Sequence, residues 1–174
     1  SMLTVMADAL QHRGPDADGV WTDADAGIGL AHRRLAILDL SPCGAQPMVS
    51  ASGRFIICFN GEIYNHPVLR AEIEARRPVA WRSHSDTEVL LQAIEVWGVD
   101  AALERCNGMF AFAVWDRRTR TLTLARDRMG EKPLYVGRVG GLAVALGVGA
   151  AVLTGTAVAW ADEGDGGTSS SSSS

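Results

Sequence analysis

Cysteine is scarce and awkwardly spaced. The three residues, Cys43, Cys58 and Cys106, are an odd number with no Cys-x-x-Cys pair among them. That excludes a disulfide framework and a zinc site as the organising device, and it fits a reducing compartment, the cytoplasm. A basic excess is missing too: 16 Lys plus Arg stand against 20 Asp plus Glu, a net charge of -4 and a pI near 5.5. Without a positive field the chain has no means of gathering phosphate backbones, so nucleic acid is excluded as a partner. A cleavable secretory signal is also lacking at the first residues, which alternate too quickly between apolar and polar. What is present is one domain's worth of chain: 174 residues, 47% hydrophobic, with ample side chains for a sizeable core. Small polar substrates remain open.

Local patterns give a coarse order of elements. In "SMLTVMADALQHR", Leu3, Met6, Ala7 and Leu10 recur at helical spacing until Gly14-Pro15 stops them. "AGIGLAHRRLAILDL" reads as a strand pair or one long bent strand, followed by the turn-rich "SPCGAQPM". Residues 54–65, "RFIICFNGEIYN", read as strand, break, strand, with Asn60-Gly61 as the break. From Pro67 the spacing of Val68, Leu69, Ile73 and Ala75 predicts a helix with proline in its first turn. Ser85-Asp86-Thr87-Glu88 matches a capping box ahead of "VLLQAIEVW", and Gly98 suits its terminus. "GMFAFAVWD" and "RTLTLARD" are strands joined through "RRT", and "KPLYV" is another. Strand, helix, helix, strands predicts α+β, not a wound parallel sheet.

After Arg138 the composition changes. Residues 139–161, "VGGLAVALGVGAAVLTGTAVAWA", carry no charge, and "DEGDGGTSSSSSS" is a low-complexity tail with no apolar side chain to order it. The apolar run reaches the ~20 residues that span a bilayer. It reads equally as a return strand, "LAVAL", folded back on "LYV" through Gly140-Gly141. The expected organisation is a domain over 1–137, an apolar segment over 138–161 that is either return strand or single helix with membrane association, and a disordered tail over 162–174.

Polar clusters fall where these elements begin and end: His12-Arg13-Gly14-Pro15-Asp16, His32-Arg33-Arg34, Asn60-Gly61-Glu62 and Ser83-His84-Ser85-Asp86. Each has a plain structural reading. Asn-Gly between strands is the commonest short hairpin signal, Asp86 next to a capping Ser85 complements the positive end of a helix, and Arg34 sits in a solvated arginine pair. The four histidines lack metal-ligand spacing, while Cys58 in a strand and Cys106 at a helix end read as buried small residues.

Taken together and in order, "LQHRGPDADG", "AHRRLAILDLSPCGAQPM", "FNGEIYN", "SHSDTEVLL", "NGMFAFAVWD" and "ARDRMGEKPLY" resemble the class II glutamine amidotransferase domain in its asparagine-synthetase form. The resemblance covers roughly residues 7–137. It implies the N-terminal-nucleophile hydrolase fold, an αββα sandwich of two antiparallel sheets between helical layers, and hydrolysis of the glutamine side-chain amide to supply ammonia for asparagine formation. In that reaction a thiolate attacks the amide carbon and charge builds on the carbonyl oxygen, where each fixed donor is worth ~3 kcal/mol. Asn60 and Gly61 match the family's oxyanion donors, a side-chain amide and a backbone N–H. Arg34 matches the residue that holds the substrate's α-carboxylate, a task suited to a planar guanidinium fork. Asp86 matches the acceptor of the α-ammonium, and Glu62 assists with that charge.

Two departures qualify this. Family members open on a cysteine whose own α-amine, with a pKa of roughly 8, serves as base; here Ser1-Met2-Leu3 runs directly into the first helix, and no Cys precedes "LQHRGPD". The sandwich is therefore expected to be incomplete at its first strand, and the chain to bind glutamine without turnover. The ATP- and Mg-using synthetase domain of the family has no counterpart after Arg138, so no cofactor is expected in this chain, and a separate synthetase domain or chain would be its partner. The alternative is a non-catalytic glutamine- or protein-binding remnant, free or membrane-tethered.

Overall fold

The computed structural model describes residues 2–9, 17–34, 44–139, 142–147, 150–154 and 158–159. The side chains of residues 2, 17, 34, 138–139, 142–147, 150–154 and 158–159 lie outside that description. So do the expectations that fall on His12, Gly14-Pro15, Cys43, Gly140-Gly141 and the tail from 162.

Helix α1 (Met2–Ala9) is followed by the hairpin β1 (Ala17–Asp23) and β2 (Ile28–Arg34). The pair turns through Ala24 to Gly27, where the Asp23 side chain accepts the Ala26 N–H at 3.1 Å. β1 has no counterpart in the sequence reading, because "ADGVWTD" carries acids and glycine in place of an alternating apolar row. Of "AGIGLAHRRLAILDL", Ile28–Arg34 is strand β2, and 35–40 lie outside the described residues.

β3 (Met48–Val49) and β4 (Phe55–Ile63) come next, then α2 (His66–Glu74), α3 (Asp86–Trp97), α4 (Val99–Arg105), β5 (Gly108–Asp116) and β6 (Thr121–Arg126). The local signals hold here. Pro67 lies in the first turn of α2, the Ser85 side chain accepts the Glu88 N–H, and Gly98 at φ +84° ends α3. The capping box itself does not close. The Glu88 carboxylate, 1% exposed, instead accepts the Arg82 N–H, the Ser83 N–H and the Ser83 hydroxyl, and so ties down the segment leading into α3.

The largest correction concerns Asn60-Gly61. It is no break. β4 runs unbroken from Phe55 to Ile63, paired residue for residue with β5 from Phe55↔Asp116 to Ile63↔Gly108. Glycine permits this continuity. A Cβ on Gly61 would meet the Met109 carbonyl oxygen at 2.1 Å, and one on Gly108 would meet the Glu62 oxygen at 2.1 Å. The hairpin signal is overruled because a long-range partner strand offers more hydrogen bonds than a local turn.

β7 (Leu134–Val139), β8 (Leu142–Gly147), β9 (Ala150–Thr154) and β10 (Val158–Ala159) complete the chain of elements. β8 pairs antiparallel with β7, and β9 with both β8 and β2, so this part of the apolar stretch is return strand and not a single helix. Among the described residues no helix is long and apolar enough to cross a membrane.

The strands form two five-stranded sheets, one in the order β1-β2-β9-β8-β7 and the other β10-β6-β5-β4-β3. All pairings are antiparallel except β10 with β6. Alternation along β4 decides what each face buries. Ile56 and Cys58 join Ile28 and Leu30 of the first sheet with Ala113, Trp115, Leu122 and Leu124, a core between the two sheets. Phe55, Ile57, Phe59 and Ile63 pack on the other face against Leu69 and Ile73 of α2 and Val89, Leu90 and Ile94 of α3. Outside the first sheet, Leu3 and Ala7 of α1 cover Ala31, and Arg33 locks that helix by donating to the Ala7 carbonyl at 3.1 Å and pairing with Asp8. The layers are therefore helix, sheet, sheet, helices.

Candidate functional site

The site grows from the exposed edge of β4. In an antiparallel ladder each residue points its N–H and C=O to one side, and successive residues alternate. Even-numbered positions face β5, as the bonds Arg117 N–H to Arg54 O (3.0 Å) and Tyr64 N–H to Asn107 O (2.8 Å) show at the two ends. Odd-numbered positions face the β3 side. β3 covers only Ile56 and Ile57, so beyond that point the edge needs other acceptors. Phe59 N–H donates to the Gln46 side-chain oxygen at 2.6 Å, and Ile63 N–H donates to Asp86 Oδ2 at 2.9 Å. Gly61 lies between them, and its N–H meets no acceptor among the described residues.

Asn60 precedes it and alternates with Cys58 and Ile56, whose side chains enter the core between the sheets. Its side-chain nitrogen is buried without a hydrogen-bond partner. A buried donor left unpaired costs ~1–3 kcal/mol, so native structures keep few of them. On consecutive residues of one strand stand the unpartnered Asn60 side-chain nitrogen and, by the alternation of the ladder, a Gly61 N–H turned away from β5.

Asp86 joins this edge through Ile63, although it lies 23 positions away in sequence. Its other oxygen accepts the Thr87 N–H at 2.8 Å. Burial pushes its carboxyl above the ordinary carboxylate range; the bonds from Ile63 and Thr87 and the field of His66 oppose the rise, while the charge of Glu62 adds to it. That influence places Glu62 and Asp86 within electrostatic reach of each other, a negative pair suited to a cationic group. Arg34 ends β2 opposite Ala17, and its side chain lies outside the described residues. Asn60, Gly61, Glu62 and Asp86 are therefore brought together, and Arg34 is located by strand register alone.

No described cysteine is a nucleophile. Cys58 is fully buried, its thiol pushed far up by desolvation and pointed at the Ala31 carbonyl at 3.7 Å. Cys106, at the end of α4, is pushed up to about 11 by burial. Neither presents a thiolate near neutrality. Among the described residues no group of three His, Cys, Asp or Glu side chains is arranged to hold a metal.

One residue escaped the sequence reading. Asp127, 5% exposed, follows β6 and accepts N–H groups from Phe110 (3.1 Å), Glu131 (2.9 Å) and Lys132 (3.0 Å). An aspartate at a strand end before a Gly-containing turn was the available signal.

Two facing antiparallel sheets between helical layers define an αββα sandwich. The chain belongs to the glutamine amidotransferase domain family, whose model matches residues 1–162. It is 40% identical over 153 residues to a putative glutamine-hydrolyzing asparagine synthetase of Mycobacterium bovis, covering 83% of this chain and 23% of that protein. With the glutamine-hydrolyzing asparagine synthetase 3 of Bacillus subtilis it shares 42% identity over 137 residues, 78% of this chain and 22% of that one. The chain thus spans less than a quarter of the length of these relatives. Glutamine phosphoribosylpyrophosphate amidotransferase of B. subtilis has the same fold, with a TM-score of 0.62 at 21% identity, covering 88% of this chain and 38% of that one.

Proposed function

We propose that this chain is the glutamine-binding and amide-polarising unit of an asparagine-synthetase-like protein, and that ammonia released there serves asparagine formation. The observation that carries this reading is the buried Asn60 side-chain nitrogen without a hydrogen-bond partner, next to a Gly61 N–H that the ladder turns away from β5. Donors held ready for an oxygen that only becomes negative during reaction are what amide hydrolysis needs, since they stabilise the transition state more than the bound substrate. Asp86 and Glu62 receive the α-ammonium of L-glutamine, and Arg34 receives its α-carboxylate.

The attack needs a thiolate that neither Cys58 nor Cys106 supplies. In this reading the described residues bind glutamine and polarise its amide, and a cysteine on a strand ahead of Leu3 brings hydrolysis. A synthetase unit, in the same polypeptide or separate, takes the ammonia, and a reducing compartment such as the cytoplasm keeps Cys58 and Cys106 as free thiols.

Isothermal titration of the purified chain with L-glutamine tests the binding half: heat from the unmodified chain, lost in Asp86→Ala, is the expected result. Ammonia production tests the other half. A Met-Cys-Gly strand placed before Leu3 is expected to bring glutamine-dependent ammonia release. Turnover by the unmodified chain that Ser1→Ala or Cys43→Ala abolishes would overturn the assignment of the nucleophile.

A further inference from the structure

We propose that Asp127 is a positioning residue for the oxyanion donors: by capturing both backbone polar groups of Phe110, it keeps the Gly61 N–H free for the substrate. The inference rests on the functional reading above but concerns a residue outside the proposed binding set.

Phe110 is the direct cross-strand partner of Gly61. Were Phe110 to turn its N–H and C=O toward β4, the two residues would form a doubly bonded pair and Gly61 would have no N–H to offer. Phe110 is held the other way. Its carbonyl accepts the Asp127 N–H at 2.7 Å, and its N–H donates to Asp127 Oδ2 at 3.1 Å. In a regular ladder that second bond would end on the Asp127 carbonyl oxygen. This oxygen is occupied, because the chain turns sharply after β6 and the Gly130 N–H donates to it at 3.0 Å. The carboxylate substitutes for the carbonyl, so the strand can end in a turn without orphaning Phe110.

The same carboxylate gathers the Glu131 and Lys132 N–H groups, and the turn is clamped to the strand it terminates. These backbone bonds hold its pKa below the ordinary value, against a burial that raises it, so the clamp is ionised near neutrality. The contact then passes directly to the site, since a Cβ on Gly61 would lie 2.6 Å from the Phe110 Cα. Phe110 is the floor on which Gly61 rests, and Asp127 sets the orientation of that floor.

Amide hydrogen exchange and L-glutamine titration of the ¹⁵N-labelled 174-residue chain, read by NMR, test this. In the unmodified chain the Phe110 amide is expected to be protected and the Gly61 amide to exchange freely, then shift and slow on adding L-glutamine. A Gly61 amide protected without ligand would overturn the proposal. Free exchange at Gly61 with no response to L-glutamine would sink the functional reading and leave the orientation of Phe110 standing. In Asp127→Ala, Phe110 exchange is expected to quicken by about tenfold to a hundredfold, the range for losing a charged acceptor, and the Gly61 response to disappear. Asp127→Asn keeps one acceptor oxygen for Phe110 and is expected to restore both. An alanine variant that keeps Phe110 protection and the Gly61 response would refute the positioning role. If that variant fails to fold, the exchange pattern of the unmodified chain decides.

Discussion

Gly61→Ala is the sharpest probe of the β4 edge. An ideal Cβ there would stand 2.1 Å from the Met109 oxygen, 2.6 Å from the Phe110 Cα and 2.8 Å from the Phe110 Cβ. Ordinary contacts begin at 3.4 Å, so β4 and β5 would have to part locally by about 1.3 Å, and none of these atoms is the tip of a flexible side chain. Overpacking of this kind costs about 1–3 kcal/mol. For a chain of this size each kcal/mol lowers Tm by about 2–4 °C. Gly137→Ala is the control, because nothing lies within 4 Å of its Cβ position. Thermal unfolding followed by circular dichroism is expected to show a loss of roughly 2–12 °C for Gly61→Ala and almost none for Gly137→Ala. Titration with L-glutamine is expected to show weakened or lost binding only in the former. Equal melting temperatures and equal binding in the two variants would refute the claim that Gly61 is glycine because β5 approaches so closely.

Asn60→Ala removes a buried nitrogen that has no partner, so urea unfolding is expected to show stability unchanged or higher, while ammonia release by the cysteine-bearing chain falls by about 10²–10³; a clear loss of stability would mean the amide is structurally bonded after all. Burial raises the Asp86 pKa above 3.8, and only its charged form attracts an ammonium, so L-glutamine affinity should fade as pH drops through that raised value, earlier than for an ordinary aspartate. The stability linkage of this group has the opposite sign. Its folded pKa exceeds the unfolded one, so its contribution is full below the unfolded pKa and lost as pH rises through the folded pKa. Asp86→Asn should flatten the binding profile in calorimetry across that range, and an unaltered profile would exclude Asp86 as the titrating group. Val152→Pro is expected to cost ~3 kcal/mol or more in chemical denaturation, since β9 pairs on both sides, opposite Leu30 and Ala145; a neutral result would place β9 outside the sheet.

The parts of the fold legible in the sequence are those whose causes are local. Ser85 caps α3 because its own side chain reaches the Glu88 N–H, Pro67 begins α2 because its missing donor costs nothing there, and the alternation in "GMFAFAVWD" is itself the two-faced strand. The ordered motifs likewise single out Arg34, Asn60, Gly61, Glu62 and Asp86 as a set. Tertiary structure decided the rest, because its causes are partners far along the chain. Asn60-Gly61 carries every local mark of a turn, yet β5 supplies nine consecutive partners to β4 and overrides it. β1 shows no apolar row, and it becomes a strand through its pairing with β2. The uncharged stretch after Arg138 fits a membrane helix or a strand equally, and within it 142–147 and 150–154 are strands because β7 and β2 offer them edges. Sequence alone determined which groups the proposed site draws on. The direction of the Gly61 N–H depended on strand pairing, since only the ladder fixes which edge each backbone donor faces.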